Sequence, residues 1–270
     1  MGADEMSEKR AIIVVSFGTT YIESLDTCIV PIEEAVAGAF AACAVHRAFT
    51  SVFVRGRLAE SGIIVDGLPD VLERLCSEGY REVIIAPTHI IAGEEYRKKI
   101  VSVVDAYRSR FDRLAVGRPL LPCEIGSSCS VDFKEVAQAI RTQIPPLSEG
   151  DAVVLMGHGS RCAEGSVYPC LQEAFDSSGD PVLVGVMEEG DALSLDYVMR
   201  QLGKRTAVQQ IYLMPFLLVA GCHTAKDMKR WQARMEDAGY RVIPYLHGLG
   251  ENAAIRALYI KRIREMMDEI

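Results

Sequence analysis

The 270-residue sequence contains no run of apolar residues long enough to span a bilayer, and its polar opening MGADEMSEKR does not have the layout of a secretory signal. The expectation is a cytoplasmic protein with no membrane partner. Neither a GxGxxG nor a Walker lysine follows any apolar run, so no nucleotide cofactor is expected. None of the eight cysteines forms a CxxC pair or takes zinc-ribbon spacing, which argues against structural zinc. Positive charge is not in excess either. Lys and Arg number 29 against 37 Asp and Glu, for a net charge of −8, which argues against a nucleic-acid partner.

What is present is an ordinary globular composition, 49% hydrophobic and 24% charged, and a chain long enough for two domains with cores of their own. The cysteines lie mostly in apolar stretches such as LERLC and FAACA. They are expected to be reduced and to act as small hydrophobes.

Short Val- and Ile-rich runs bounded by Gly and Pro suggest buried parallel strands at 11–16, 47–51, 82–86 and 113–117, and again at 152–156, 181–187, 209–216 and 241–245. Helical periodicity fills the gaps, at about 24–44, 68–78 and 93–111 in the first half. In the second half it falls at 132–145, 166–177, 191–203, 223–238 and 250–269. The fold class is therefore α/β: two similar Rossmann-like domains, each a four-stranded parallel sheet flanked by helices. The Pro-, Gly- and Ser-containing stretch 118–131 is the best junction. It divides the chain into 1–125 and 126–270, with the last helix, about 250–270, free to pack back on the first domain.

The two halves repeat. AIIVVSFGTT (11–20) matches DAVVLMGHGS (151–160) with Gly18 against Gly159, and IIAPTHIIAGEE (84–95) matches YLMPFLLVAGCH (212–223) with Pro87 against Pro215 and Gly93 against Gly221. In that alignment Phe17 stands opposite His158, and Glu95 opposite His223. Two histidines thus occupy strand-end positions where the other half has none.

Ligands of open α/β sheets bind beyond the carboxyl ends of the strands, and the chemically distinctive residues cluster there. His158 lies between two glycines after an apolar strand, as a metal ligand or proton acceptor would. The competing reading is a turn histidine bonded to backbone. His223 begins a helix after Ala220-Gly221-Cys222, with a plain capping histidine as its alternative. Glu188 and Glu189 follow the strand PVLVGVM, and one of them would complete an N,N,O set for a divalent cation. Ser16, Phe17, Gly18, Thr19 and Tyr21 form a loop suited to lining an organic ligand. His89 is also at a strand end, as a ligand-binding or a structural residue. Arg47, Arg55, Arg57, Arg161 and Lys226 could meet anionic groups. Two similar domains facing each other would share one cleft between them.

Together, VSFGTTY, THIIAGEEY, MGHG, VGVMEEG and FLLVAGCHTAKDM resemble the anaerobic sirohydrochlorin cobaltochelatase family, class II chelatases with a ferrochelatase-like fold. The resemblance runs in register from about residue 11 to 230. It implies a chelatase-like pair of domains with the active-site cleft between them, and ATP-independent insertion of Co2+ into sirohydrochlorin in anaerobic cobalamin synthesis. Carried over, His158, Glu188 and His223 are the metal ligands, and His158 and Glu188 are the catalytic pair. Ser16, Phe17, Gly18, Thr19, Tyr21 and His89 are substrate-binding. The residue before the second histidine departs from the pattern. An acid or amide is expected there and Cys222 stands instead, which would favour softer ions. The alternatives are the same chemistry with Fe2+ or Ni2+, a tetrapyrrole carrier without turnover, or a sugar- or nucleotide-binding module. A homo-oligomer is left open.

Overall fold

The computed structural model describes residues 9–123, 129–159, 167–188 and 192–268, and of residues 129, 130 and 222–224 the backbone alone. The first half runs β1 (Arg10–Ser16), α1 (Ile22–Ser24), a π-helical stretch (Leu25–Ile29), α2 (Val30–Ala39), β2 (Ala44–Phe49), α3 (Val52–Glu60), α4 (Leu68–Ser77), β3 (Glu82–Pro87), α5 (Glu94–Tyr96), a second π-helical stretch (Arg97–Val101), α6 (Ser102–Tyr107) and β4 (Arg113–Val116). The second runs α7 (Cys129–Arg141), β5 (Asp151–Gly157), α8 (Val167–Asp176), β6 (Val182–Val186), α9 (Leu195–Lys204), β7 (Gln210–Phe216), α10 (Cys222–Glu236), β8 (Arg241–Pro244) and α11 (Ala253–Asp268).

The strands form two four-stranded parallel sheets, ordered β2-β1-β3-β4 and β6-β5-β7-β8. The repeat is visible in the ladders themselves. Val15 pairs with Pro87 in the first sheet, and their counterparts Met156 and Pro215 pair in the second. Each sheet reverses its strand order beside its first strand, so the crevices open between the ends of β1 and β3 and of β5 and β7. Such switch points are where α/β sheets bind ligands.

Strand periodicity sorts the core into layers. In β1, Ala11, Ile13 and Val15 face a cluster with Leu68, Leu72 and Ile100 that belongs to the first sheet alone. Val154 and Met156 of β5 face a separate cluster around Trp231. The alternate residues, Ile12 and Val14 of β1 and Val153 and Leu155 of β5, join one cluster that runs through Phe133, Val136, Tyr259 and Ile263. The two sheets thus share a core on their facing sides. Helix α11 packs against α2, β3 and α7. Tyr259 donates from its hydroxyl to the Thr88 carbonyl at 2.7 Å. Arg262, nearly fully buried, is held by Asp132 at 2.8 Å and Glu265 at 3.0 Å.

Several expectations need correction. The second strand is Ala44–Phe49 rather than 47–51, and the preceding helix stops at Ala39. Helix α3 was not anticipated. Only Val54 and Leu58 face inward from it, while Gly56 and the exposed Val52 and Phe53 break its periodicity. Its local signal is Ser51, whose side chain accepts from the Val54 N–H at 3.3 Å as an N-cap. Helix α9 begins at Leu195, not 191, and α11 at Ala253, after a 3-10 turn over Leu249–Glu251. Within the proposed junction, Leu120 and Leu121 are fully buried. Leu121 is pinned by backbone hydrogen bonds to Ile90 and Ala92. Cys28, Cys43, Cys76 and Cys170 are not in disulfides, but Cys123 is disulfide-bonded, contrary to the expectation of reduced cysteines throughout. Its partner lies outside the described residues.

Candidate active site

Parallel pairing brings the carboxyl ends of β5 and β6 side by side. Gly157, the last residue of β5, pairs with Val186, the last residue of β6. The Met187 N–H donates to the Gly157 carbonyl at 2.8 Å. His158 and Glu188 follow directly, both exposed. The Glu188 side chain lies over the backbone of Gly159, with Oε2 2.7 Å from the point a β-carbon would occupy there. The Glu188 carboxylate thus lies over the turn that carries His158.

The two glycines around His158 have separate causes. Gly157 is opposed by the Tyr168 ring, whose Cε1 lies 2.3 Å from an ideal β-carbon position, so no side chain fits. Gly159 takes φ +111°, which L-residues rarely adopt, and Glu188 covers its free face. Tyr168 is buried, and its hydroxyl oxygen accepts from the Gly159 N–H at 3.1 Å. It fixes the turn that presents His158. Sequence reading missed Tyr168; its signal was a tyrosine early in the helix that follows the Gly-His-Gly turn. Gly18, the counterpart of Gly159, likewise has positive φ (+96°) and abuts Phe49.

The third ligand candidate comes from β7, the other neighbour of β5. After β7 the chain runs through Leu217–Ala220 to Gly221, the extended N-cap of α10, which makes His223 the second residue of that helix. The matching Gly93 caps α5 in the same extended conformation, with Glu95 as second residue. The side chains of Cys222 and His223 lie outside the described residues, as do Arg161 and Glu189. Among the described residues no three His, Cys, Asp or Glu side chains converge to hold a metal ion. The described part of the set is the His158–Glu188 pair.

The first half closes on this mouth from the opposite side. The Tyr21 ring lies 3.8 Å from an ideal β-carbon position on Gly221, and Ser24 donates from its hydroxyl to the Ala220 carbonyl at 3.1 Å. Phe17 is 53% exposed and Tyr21 44%. Ser16 and Thr19 are not exposed. Ser16 is buried and hydrogen-bonded to Thr88 at 2.8 Å, and the Thr19 hydroxyl oxygen accepts from the Tyr21 N–H at 3.2 Å. These two hydroxyls shape the loop, as does Gly18.

His89 stands two residues beyond the end of β3. Both ring nitrogens are shielded from solvent and find no hydrogen-bond partner among the described residues. Burial lowers its pKa from 6.5 to about 4, so the imidazole is neutral at physiological pH. Of the flagged cations, Arg47 forms a bidentate pair with Glu33, and Arg55 and Arg57 pair with Asp70 and Glu60. Lys226 is exposed on the first turns of α10.

Two linked four-stranded parallel sheets, with a histidine and a carboxylate after adjacent strands and a helix-start histidine after the strand on the other side, are the arrangement expected of a chelatase-like fold. The family model for cobalt chelatase (CbiK) matches residues 10–268. The sirohydrochlorin cobaltochelatase of Salmonella typhimurium is 36% identical over 266 residues, covering 96% of this chain and 97% of that protein. The sirohydrochlorin cobaltochelatase CbiKC of Nitratidesulfovibrio vulgaris is 33% identical over 251 residues, covering 90% and 85%. The chain belongs to the cobalt chelatase (CbiK) family, and it is a metal chelatase. The fold is shared with SirB from Bacillus subtilis, solved with Fe3+, at a TM-score of 0.64 and 19% identity over 95% of each chain. SirB from subspecies spizizenii in complex with cobalt matches at 0.62 and 14% identity, over 96% of each chain.

Proposed function

We propose that this chain inserts Co2+ into sirohydrochlorin, without a nucleotide, in the cleft between its two sets of strand ends. His158, Glu188 and His223 are the metal ligands in this reading. The observation that carries it is the Glu188 carboxylate lying against Gly159 beside His158, on strands paired so that both groups leave the sheet together.

Metal insertion exchanges one divalent cation for two pyrrole N–H protons. The site must hold a partly dehydrated ion weakly enough to release it to the ring, and must accept the protons. Two imidazoles and one carboxylate suit the first task, because an N,N,O set binds borderline ions without the grip of thiolates. His158 and Glu188 suit the second, as exposed bases at the site. Across the mouth, Phe17 and Tyr21 offer apolar faces to a flat macrocycle, and neutral His89 beyond the end of β3 can enter a hydrogen bond but adds no charge.

Fe2+ or Ni2+ could be handled by the same groups, and Cys222 beside His223 is the residue that would tilt the preference. The protein is read as working in the cytoplasm; no described helix is long and apolar enough to cross a membrane. Purified protein mixed anaerobically with sirohydrochlorin and Co2+, and followed by visible absorption, tests the proposal. Metallation no faster than the uncatalysed reaction would sink it, and competition among Co2+, Fe2+ and Ni2+ ranks the metals. A carrier without turnover would bind the tetrapyrrole and give no acceleration.

A further inference from the structure

Most of the large apolar side chains exposed among the described residues stand on two adjoining loops of the first sheet. They are Phe17, Tyr21 and Ile22 after β1, and Val52 (67% exposed) and Phe53 (72%) at the start of α3. The loops are tied together by the backbone, since the Thr50 and Ser51 N–H groups donate to the carbonyls of Ser16 and Phe17 at 2.9 and 3.3 Å. A contiguous exposed apolar patch on a folded chain marks a contact surface.

The patch is continuous with the mouth of the active site. At one end the Tyr21 ring touches Gly221, two residues before His223. Beneath it, Val54 and Leu58 on the inner face of α3 pack in one cluster with Val219 of the loop that leads to α10. Val52 and Phe53 therefore lie on the outer side of an element whose inner side already contacts the metal-site loop. Gly56, one turn after Val52, leaves open space where a side chain would stand. Arg57, one turn after Phe53 and on the same face of the helix, is held among the described residues by an exposed pair with Glu60. An apolar surface that ends in an exchangeable cation fits a flat ring whose periphery carries carboxylates.

We propose that Val52 and Phe53, together with Phe17, form a ledge that carries the part of the macrocycle farthest from the metal-holding side chains, with Arg57 meeting a peripheral carboxylate. This rests on the cleft being the tetrapyrrole site. The ledge contributes to binding and position of the ring, not to the chemical step, so its signature is a change in KM and tetrapyrrole affinity with kcat and metal affinity unchanged.

The test compares Phe53→Ala, Val52→Ala/Phe53→Ala, Arg57→Ala and the conservative Phe53→Trp with the unaltered protein. Three quantities are read: sirohydrochlorin affinity by absorbance titration without metal, steady-state kinetics with Co2+, and Co2+ affinity without tetrapyrrole. Both side chains are exposed, so the variants are expected to melt with the unaltered protein. Phe53→Ala should raise KM and the dissociation constant about 10-fold, which corresponds to about 1.4 kcal/mol and is within what an aromatic side chain gains on burial. The double variant should raise them further, and Phe53→Trp should restore near-normal values. Unchanged sirohydrochlorin affinity in the double variant would overturn the ledge, and a changed oligomeric state in that variant would identify the patch as a contact between copies instead. Failure of the unaltered protein to bind or metallate sirohydrochlorin would overturn the functional reading, and the ledge with it.

Discussion

The Gly159→Ala substitution separates the geometry of the site from the stability of the fold. Gly159 has φ +111°, and a β-carbon there would sit 2.7 Å from Oε2 and 3.2 Å from Cβ of Glu188. Backbone strain at such a position costs about 1–3 kcal/mol. For a chain of this size that lowers Tm by about 2–12 °C, taking roughly 2–4 °C per kcal/mol. The contact adds a second effect, because Glu188 must swing away and leave its place over the turn that carries His158. A displacement on the order of 1 Å in a reacting group costs about 100-fold in rate. The control is Gly179→Ala. Gly179 also has positive φ (+71°), but nothing lies within 4 Å of its β-carbon position. That variant should lose about 1–2 kcal/mol from the backbone alone and keep full activity. Thermal melts and anaerobic Co2+ insertion at 25 °C, well below either Tm, measure both. If Gly159→Ala kept activity within twofold, or Gly179→Ala lost as much, the placement of Glu188 against the turn would be wrong.

His158→Ala and Glu188→Gln should each weaken Co2+ binding and slow insertion by about 100-fold while leaving Tm unchanged, since both side chains are exposed; metal titration with parallel melts checks this, and full activity in both would remove them from the site. His89 gives a pH dependence. Its folded pKa of about 4 lies below the unfolded 6.5, so its contribution is fully present above about pH 6.5 and is lost as pH falls toward 4. The loss approaches about 3 kcal/mol. Between pH 7 and pH 4.5 the urea midpoint of the unaltered protein should therefore fall relative to that of His89→Leu, and a difference between the two that stays constant would show that burial does not hold this imidazole neutral. Asp132→Ala removes a partner of buried Arg262 and should cost about 3 kcal/mol, read as a Tm drop of about 6–12 °C; Asp132→Asn, which keeps the shape and an acceptor, should cost less.

The parts of the fold that the sequence made legible are those with a strong period or a repeated marker. Val- and Ile-rich strands bounded by Gly and Pro are found close to where their pattern puts them. The glycine alignment between halves also holds in the backbone, since Gly18 and Gly159 share positive φ and Gly93 and Gly221 share an extended cap. Helix α3 was illegible because its two inward residues give too little periodicity against three that face out or carry no side chain. The placing of His158 and Glu188 at strand ends was legible, but not the approach of the Glu188 side chain to Gly159, which depends on the pairing of β5 with β6. Tyr168 could not be singled out because its part in the turn comes from a ring folded back across β5.

By itself, the sequence determined the two-fold repeat, the parallel sheets and the residue types offered at each strand end, because side-chain periodicity and glycine chemistry are local properties. Which of those ends face one another was decided only in three dimensions. Strand order places β6 and β7 on either side of β5, the shared core and α11 bind the halves together, and the Tyr21 ring meets Gly221 across the mouth. These are contacts between residues far apart in the chain, set by packing that no local pattern encodes.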